Sequence, residues 1–343
     1  MKIGVLCPSD IAIRRFMPAL KKIDELEFVG VAVSSVEERF GSDLPSADEV
    51  KLLLKNSNEK AQQFVSNYGG KIFSSYEEIV SSNEIEAIYI PLPPALHYKW
   101  AKKALENNKH VLVEKPATIC KEHTDELVKI ADSRNLALHE NYMFTFHNQL
   151  EDIERIILSG ELGDVRLYRI NFGFPMRPKN DFRYNSKLGG GALIDAGGYT
   201  IKYATRLLGE SAKVAYSSMN YTNEFDVDLY GSGALVNDSG DVVQVAFGMD
   251  NDYKCELEIW GSKAYFTTGR VLTAPAGFEP KGTIRRNNDD HVITLSSDDA
   301  FEKSIRFFYD CVRDDKTRRD NYQAIIKQSE LVDEFRSKSQ NDI

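Results

Sequence analysis

Short apolar runs alternate with helical patterns over roughly the first 115 residues of the chain. The runs are bounded by proline, glycine or polar residues, as is typical of buried strands, and they predict strands at 2–7, 28–33, 71–73, 87–90 and 110–113. Apolar residues at helical spacing predict helices between them, at 11–23, 61–68, 76–80 and 96–107. The stretch from Glu37 to about Lys60 is polar and has the character of an insertion.

The alternation of strands and helices indicates βαβ units. Because the crossovers of such units are right-handed, the leading topology is a doubly wound parallel sheet of the Rossmann type, whose ligands bind beyond the carboxyl ends of the strands. Non-helical clusters fall at these ends: Pro8-Ser9-Asp10, Ser34-Ser35, Pro91-Leu92-Pro93 and Glu114-Lys115. The sequence therefore predicts one ligand-binding edge built from separate segments.

The pattern changes after about residue 140. Further strands are predicted at 164–174, 227–236, 242–249, 254–260 and 264–268, and turns containing glycine or asparagine indicate antiparallel hairpins. Helices are predicted at 149–158, 192–208, 300–312 and 322–338. The predicted fold class is α/β, with a Rossmann domain over residues 1–120. An α+β domain with a large, open, mostly antiparallel sheet is predicted over residues 121–343.

Composition supports two domains and excludes several classes of protein. A chain of 343 residues with 42% hydrophobic and 28% charged residues is typical of a soluble globular protein with two domains. The net charge of −9 argues against a nucleic-acid partner and against electrostatic membrane binding, and no apolar run is long enough to span a bilayer.

The four cysteines form no C-x-x-C pair, and the six histidines form no H-x-x-x-H pair. We therefore expect free thiols, a cytoplasmic location and no metal site.

The turn after the first strand is the expected position of a dinucleotide-binding G-x-G-x-x-G motif. Here the six positions are Cys7-Pro8-Ser9-Asp10-Ile11-Ala12, without any glycine. Ala12 is a common substitute at the third glycine position, and Ser9 stands where the backbone must approach a pyrophosphate. Ser9, Asp10 and Ile11 are therefore candidate cofactor-binding residues, although an ordinary turn explains the segment equally well.

The end of the second strand favours NADP(H) over NAD(H). An NAD site usually places an acid there for the ribose 2′-hydroxyl, but this chain has Ser34-Ser35 and no acid before Glu37. Small hydroxyls leave room for a 2′-phosphate, and Arg39 or Arg14 could supply a charge that pairs with it. The alternative is that both arginines are solvated charges on helix surfaces.

Three segments resemble the glucose–fructose oxidoreductase / inositol dehydrogenase family (Gfo/Idh/MocA). They are the strand and Glu-Lys-Pro of residues 107–116, the Gly-Gly-Gly-Ala-Leu-Ile-Asp-Ala-Gly-Gly-Tyr segment of residues 189–199, and the Pro-Leu-Pro-Pro-Ala-Leu-His segment of residues 91–97. Their order and spacing match the family over nearly the whole chain. Residues 10–20 are similar to the opening helix of sugar-nucleotide 3-ketoreductases, although relatives usually have a glycine just before it.

The resemblance implies a nicotinamide cofactor and assigns several residues. Lys115 would be the central catalytic residue, with Asp195 and Tyr199, the latter where other members have histidine. His97 resembles a histidine on the cofactor side, and the strand-end residues Leu92, Glu114 and Lys115 would border the cofactor. The resemblance also implies that the second domain binds the substrate and that its open sheet joins subunits, so that a homodimer or homotetramer is expected.

The chemistry of these side chains fits ketone reduction. Asp195 and Tyr199 are four residues apart on a predicted helix and share one face, and the glycines before them would let a ligand approach the helix start. A lysine ammonium can polarise a carbonyl and stabilise the developing alkoxide. A phenol, with an ordinary pKa near 10, can donate a proton when a cation lies near it. Asp195 would orient the substrate, and Arg183 could reach a substrate phosphate or hydroxyl.

The expected function is therefore that of an NAD(P)-dependent oxidoreductase. It would transfer a hydride between nicotinamide and a keto-sugar or sugar alcohol, in either direction, and a sugar on a nucleotide carrier is one candidate substrate. One alternative is a non-catalytic sugar or nucleotide sensor, which the missing glycines would suit. Another is a glycosidase that uses a tightly held NAD, which the non-acidic Ser34-Ser35 disfavours.

Overall fold

The structure is a computed structural model that describes residues 1–40 and 46–340, without the side chains of Arg39, Phe40, Glu49 and Gln340. This part of the chain forms two compact units. The first contains Met1–Ala117, Glu122–Asn141 and Ile305–Gln323; the second contains Thr118–Lys121, Tyr142–Ser304 and the described residues from Ala324 onward. The sequence predicts a single boundary near residue 120, whereas the first unit also takes in two later segments.

The first unit is built on a parallel sheet. Its strands are β1 (Lys2–Val5), β2 (Glu27–Ala32), β3 (Lys71–Phe73), β4 (Ala87–Ile90), β5 (His110–Glu114) and β6 (Leu138–Asn141). Among the described residues these six strands lie in the order β3-β2-β1-β4-β5-β6, and neighbouring strands are parallel. This is the strand order of a dinucleotide-binding Rossmann sheet, so the predicted doubly wound topology is confirmed.

Helices connect these strands. They are α1 (Met17–Leu20), preceded by a π-helical turn (Ala12–Phe16), α2 (Val36–Phe40), α3 (Ala47–Tyr68), α4 (Tyr76–Ser81), α5 (Pro94–Glu106) and α6 (Lys121–Ser133). The helix predicted at 61–68 begins much earlier, at Ala47, so the second half of the polar stretch from Glu37 to about Lys60 belongs to α3. Lysine, glutamate, glutamine and leucine are good helix formers, but the polarity of this segment conceals its periodicity.

The second unit is built on a larger sheet. Its strands are β7 (Val165–Gly173), β8 (Lys213–Tyr221), β9 (Asp228–Val236), β10 (Val242–Gly248), β11 (Lys254–Gly261), β12 (Tyr265–Gly269), β13 (Lys281–Arg286) and β14 (Asp289–Thr294). Within residues 46–340 these eight strands lie in the order β14-β13-β12-β11-β7-β10-β9-β8. Only the β7–β10 pair is parallel among the described pairs, which confirms the predicted, mostly antiparallel sheet.

One face of the second sheet carries the core of this unit. The helices of the second half are α7 (Gln149–Leu158), α8 (Gly198–Leu208), α9 (Ala300–Arg313) and α10 (Asp315–Gln340), and a π-helical turn (Leu193–Gly197) precedes α8. Phe247 of β10 packs against Phe335 of α10 with ring centroids 5.5 Å apart. The other face of the sheet exposes large side chains such as Tyr216 and Trp260. No helix in the described part of the chain is both long and apolar enough to cross a membrane.

Candidate active site

The turn after β1 starts a helix that Ser9 caps. The Ser9 Oγ accepts the backbone N–H of Ala12 at 3.2 Å, so serine performs here the capping role for which its side chain is suited. Asp10 and Ile11 follow in the first turn, both exposed. The Asp10 carboxylate lies 3.2 Å from the Nζ of Lys60 in α3. The sequence does not predict Lys60 at this edge, because it does not predict the part of α3 that brings it there.

The Ser34-Ser35 segment follows β2 and is closed by reciprocal capping. The Ser35 Oγ accepts the N–H of Glu38 at 3.2 Å, and the Glu38 carboxylate accepts the N–H of Ser35 at 2.8 Å. The same carboxylate accepts the N–H groups of Tyr76 and Glu77 at the start of α4, at 3.0 and 2.8 Å. Glu38 therefore ties the loop after β2 to the loop after β3.

A cavity of about 350 Å³ lies beside this segment. It is lined by Val33, Ser34, Ser35, Val36, Leu54, Asn58, Ile72 and Ser74. The Ser35 hydroxyl accepts a hydrogen bond from the backbone and can still donate its own proton, and Ser34 and Asn58 add further donors. None of these lining residues is acidic, so the described lining suits an anion. The side chain of Arg39 lies outside the described residues, and Arg14 is exposed on the π-helical turn.

His97 joins the loops that follow β4 and β5. It is fully buried, and its two ring nitrogens lie 2.7 Å from the carbonyl oxygens of Leu92 and Pro116. Two such contacts would suit an imidazolium, but burial lowers the pKa of His97 to about 4. The contacting carbonyl oxygens are uncharged and do not offset the loss of hydration of a buried imidazolium, so the neutral ring donates to one carbonyl at a time. His97 thus anchors the loop that carries Lys115, while its direct contact with a cofactor stays a prediction.

Glu114 anchors the same loop from the strand side. Its Oε1 accepts hydrogen bonds from the Tyr89 hydroxyl at 2.6 Å and the Asn141 amide at 2.7 Å. Burial raises the pKa of Glu114, and the two hydrogen bonds oppose that shift. Lys115 follows directly, partly exposed, and its peptide bond to Pro116 is cis. The end of β5 therefore presents an ammonium from a backbone held by internal side chains.

In the second unit, Asp195 forms an ion pair with Arg183. The Arg183 Nε donates to Asp195 Oδ2 at 2.6 Å, and its Nη1 donates to Asp181 Oδ1 at 3.1 Å. Burial opposes the charge of Arg183, but the two carboxylates outweigh it and raise its pKa. The structure thus brings two predicted substrate-binding residues together and adds Asp181. Two of the three guanidinium nitrogens of Arg183 therefore donate to carboxylates of the protein itself.

Tyr199 stands in an aromatic cluster one turn beyond Asp195. Its partly exposed ring lies 5.3 Å from Tyr142, 5.7 Å from Phe144 and 5.3 Å from Phe172, between ring centroids. Gln328 of α10 donates to the carbonyl of Gly198 at 2.8 Å and supports this start of α8 from behind. The ring of Tyr199 is therefore fixed by packing, which orients its hydroxyl.

The glycines before this helix serve internal packing. A Cβ on Gly190 would collide with the backbone carbonyl of Arg183, and a Cβ on Gly191 would collide with the carboxylate of Asp228. Gly191 also has a φ of +119°, which side chains disfavour. The space that we expected these two glycines to leave for a ligand is thus taken by the protein's own Arg183 and Asp228.

Substitution of Gly191 should be markedly destabilising. We expect Gly191→Ala to lower the free energy of unfolding by about 2–4 kcal/mol, because backbone strain and overpacking add. Gly160→Ala is the control, since Gly160, just after α7, has a φ of +74° but a Cβ added there would meet nothing within 4 Å; it should cost about 1–2 kcal/mol. Urea unfolding measures both, and equal losses would contradict the collision with Asp228.

Sequence reasoning missed the residues that support the site from a distance. Asp181 carried a usable signal, since an Asp two residues before Arg183 can accept the arginine backbone N–H, as it does at 3.0 Å. Asp228 and Gln328 carried none, because only the folded sheet and helix bring them to residues 191–198. Among the described side chains, no group of three or more His, Cys, Asp or Glu could hold a metal ion.

Known proteins match both halves of the chain. Residues 27–142 match an oxidoreductase family with an NAD-binding Rossmann fold, and residues 150–267 match the GFO/IDH/MocA C-terminal domain. The dTDP-3,4-didehydro-2,6-dideoxy-alpha-D-glucose 3-reductase of Saccharopolyspora spinosa is 32% identical over 97% of this chain and 96% of its own length. The enzyme of the same name from Streptomyces violaceoruber is 33% identical, with 98% and 94% covered.

A solved structure shares the fold over almost the full length. The 3-ketoreductase from Actinomadura kijaniata, in complex with NADP and TDP-benzene, superposes with a TM-score of 0.88 at 30% identity. The match covers 98% of this chain and 97% of that one. Both the Rossmann sheet and the large second sheet therefore have a counterpart in an enzyme of known ligands.

Proposed function

Because the chain belongs to the Gfo/Idh/MocA oxidoreductase family, we propose that it is an NADP-dependent reductase of a keto-sugar carried on a nucleotide. The cavity at the end of β2 supports the choice of cofactor. The reaction is supported by Lys115, which lies on a loop anchored by His97, and by Tyr199, whose ring packs among other aromatic rings.

The residues around the cavity fit the adenosine phosphate end of NADP. The hydroxyls of Ser34 and Ser35 and the amide of Asn58 are hydrogen-bond donors to a phosphate, and no acid among the described lining residues would repel it. An NAD site would need an acceptor for the ribose 2′-hydroxyl at this position. NADPH, when bound, supplies the hydride for reduction of a carbonyl carbon.

The side chains of this chain supply charge stabilisation and the proton. The Lys115 ammonium polarises the carbonyl and stabilises negative charge on its oxygen. The Tyr199 hydroxyl donates the proton that completes the alcohol, with Lys115 as the alternative donor. The Arg183–Asp195 pair holds a substrate hydroxyl, because the carboxylate oxygens of Asp195 can accept a hydrogen bond from that hydroxyl.

The relatives indicate the substrate class. Two of them are named as 3-reductases of a dTDP-linked didehydro-dideoxyglucose, and the solved relative binds a TDP derivative together with NADP. We propose a nucleotide-linked keto-sugar of this kind as the substrate, and reduction of its ketone as the reaction.

The test is cofactor consumption with a defined substrate. The purified protein, mixed with NADPH and the dTDP-linked didehydro-dideoxyglucose named for the Saccharopolyspora enzyme, should oxidise NADPH and yield the corresponding alcohol. With NADH the rate at subsaturating cofactor should be lower by about tenfold or more. NADPH should also raise the melting temperature more than NADH does, since only a ligand of the folded state stabilises it.

Two outcomes would contradict this proposal. NADPH binding without turnover of any nucleotide-linked keto-sugar would fit a sensor instead. Equal melting-temperature shifts with NADH and NADPH would remove the role given to Ser34 and Ser35. Free keto-sugars without a nucleotide serve as the control for the substrate class and should react more slowly.

Assembly and location complete the proposal. The outer face of the second sheet exposes Tyr216, Tyr230 and Trp260 to 53%, 45% and 53%. Large aromatic side chains are enriched at protein interfaces, so we propose that this face joins subunits in a homodimer or homotetramer. The four cysteines all lie within the described residues and form no disulfide, which agrees with the reducing cytoplasm that we propose as the location.

A further inference from the structure

A buried carboxylate from a neighbouring strand lies at the start of the helix that carries Asp195 and Tyr199. Asp228 is the first residue of β9 and is 5% exposed. Its Oδ2 accepts the backbone N–H of Leu193 at 2.7 Å. Leu193 opens the π-helical turn that leads into α8, so Asp228 caps the helix at 192–208 from a different element.

Gly191 leaves room for the other oxygen of this carboxylate, Oδ1. A Cβ at Gly191 would collide with Asp228 Oδ1, so the carboxylate lies directly against the backbone that precedes the helix. The first N–H groups of a helix have no partners within it, and the helix dipole favours a negative charge at that end. The ionised form of Asp228 therefore holds this helix start more firmly than a neutral side chain would.

The same backbone is connected to the proposed substrate-binding pair. The carbonyl of Gly191 accepts the N–H of Asp195 at 3.0 Å, and the N–H of Gly191 donates to the carbonyl of Arg183 at 2.9 Å. A shift of Gly191 would consequently move both members of the Arg183–Asp195 ion pair. Tyr199 follows one turn later and would move with the helix.

The charge on Asp228 is maintained against the cost of burial. Burial raises the pKa of Asp228 to about 6, although the N–H groups of Leu193 and Ala192 and the guanidinium of Arg336 oppose the shift. The groups that face it are Arg336 of α10 and Tyr221, its neighbour on β8, whose pKa is raised by burial and by Asp228. Asp228 is therefore a candidate functional residue, because a protein that keeps a buried acid beside a proposed catalytic helix does so at a cost in stability.

We propose that Asp228 is a positioning residue of the reductase. Its ionised carboxylate fixes the first turn of helix 192–208, so that Asp195, Arg183 and Tyr199 meet the substrate in the productive arrangement. The kinetic consequence rests on the proposed function, whereas the contact between Asp228 and the helix does not.

The test compares Asp228→Asn with the wild-type protein as a function of pH. Asparagine keeps an oxygen for the Leu193 N–H but carries no charge. We expect kcat of the variant to be lower by between about tenfold and about a hundredfold at pH 8, with a sugar KM within a few fold, since a small misplacement of reacting groups has such effects. Wild-type kcat should fall as the pH is lowered through about 6, and this decrease should be absent from the variant.

Stability provides a readout independent of turnover. Because the pKa of Asp228 is higher in the folded protein than its ordinary value of 3.8, its ionisation destabilises the fold as pH rises from about 4 to about 6. The melting temperature of Asp228→Asn minus that of the wild-type protein should therefore be higher at pH 8 than at pH 4. A residue with a merely structural role would not combine this gain with a loss of kcat.

Asp226→Asn is the matched control. Asp226 precedes Asp228 by two residues, is exposed and accepts hydrogen bonds from Ser186, so this variant should keep the wild-type kcat and pH profile. Wild-type kcat in Asp228→Asn would overturn the proposal. An acidic decrease that persists in the variant would overturn it too, and would point to Glu114.

Failure of the proposed function can be distinguished from failure of the structural role of Asp228. If the wild-type protein reduces no sugar, the kinetic consequence is overturned with the proposed function. Amide hydrogen exchange in helix 192–208 then decides the structural part: it should be faster in Asp228→Asn than in Asp226→Asn, and equal rates would overturn that part as well.

Discussion

Lys115→Met should lower kcat for keto-sugar reduction by about 10²–10³-fold, the usual effect of removing one group that stabilises an oxyanion. Methionine keeps most of the length and apolar volume of lysine but cannot carry a charge. The surrounding loop should keep its conformation, because Glu114 holds it through Tyr89 and His97 holds it through Pro116. Steady-state kinetics with NADPH, together with the melting temperature, measure both expectations.

A surface lysine of the same unit is the control. Lys71 forms an exposed ion pair with Glu84 at 2.8 Å, and Lys71→Met should leave kcat unchanged. Wild-type turnover in Lys115→Met would remove Lys115 from the mechanism.

A charge-preserving variant separates the two roles considered for Lys115. Lys115→Arg keeps a cation that can polarise a carbonyl, but guanidinium does not give up its proton at accessible pH. Partial activity in this variant would therefore assign Lys115 an electrostatic role. Activity as low as that of Lys115→Met would favour lysine as the proton donor.

The fold was predictable where apolar periodicity is strong and not where buried residues are polar. Strands β1, β2, β4 and β5 are apolar runs, and their sheet follows from the alternation with helices. Strand β6 reads Leu-His-Glu-Asn and is buried nonetheless, because Glu140 accepts the N–H of Ala117 and Asn141 donates to Glu114. Buried polar side chains of this kind conceal a strand from any hydrophobic pattern.

The candidate site was predictable where its residues are close in sequence. Ser34 and Ser35 lie together at one strand end, and Asp195 and Tyr199 lie on one helix, so motif and spacing suffice. The partner of Leu193 is 35 residues away and that of Gly198 is 130 residues away. These contacts depend on how strands and helices pack, which no local pattern encodes.

Tyr199→Phe should be as damaging to turnover as the lysine substitution, and it should leave the fold intact. Loss of a proton donor lowers kcat by about 10²–10⁴-fold. The phenylalanine ring keeps the packing against Tyr142, Phe144 and Phe172, so the free energy of unfolding should change by less than about 1 kcal/mol.

The control for Tyr199→Phe lies one turn further along the same helix. Tyr203 is 1% exposed and packs against Phe144, and Tyr203→Phe removes a hydroxyl from the core instead of from the site. Only Tyr199→Phe should lower kcat. The double variant Lys115→Met/Tyr199→Phe adds a sharper test, because groups that act on one proton transfer have non-additive effects. A double variant no slower than the slower single variant would indicate that both residues serve the same step, whereas fully additive losses would contradict that assignment.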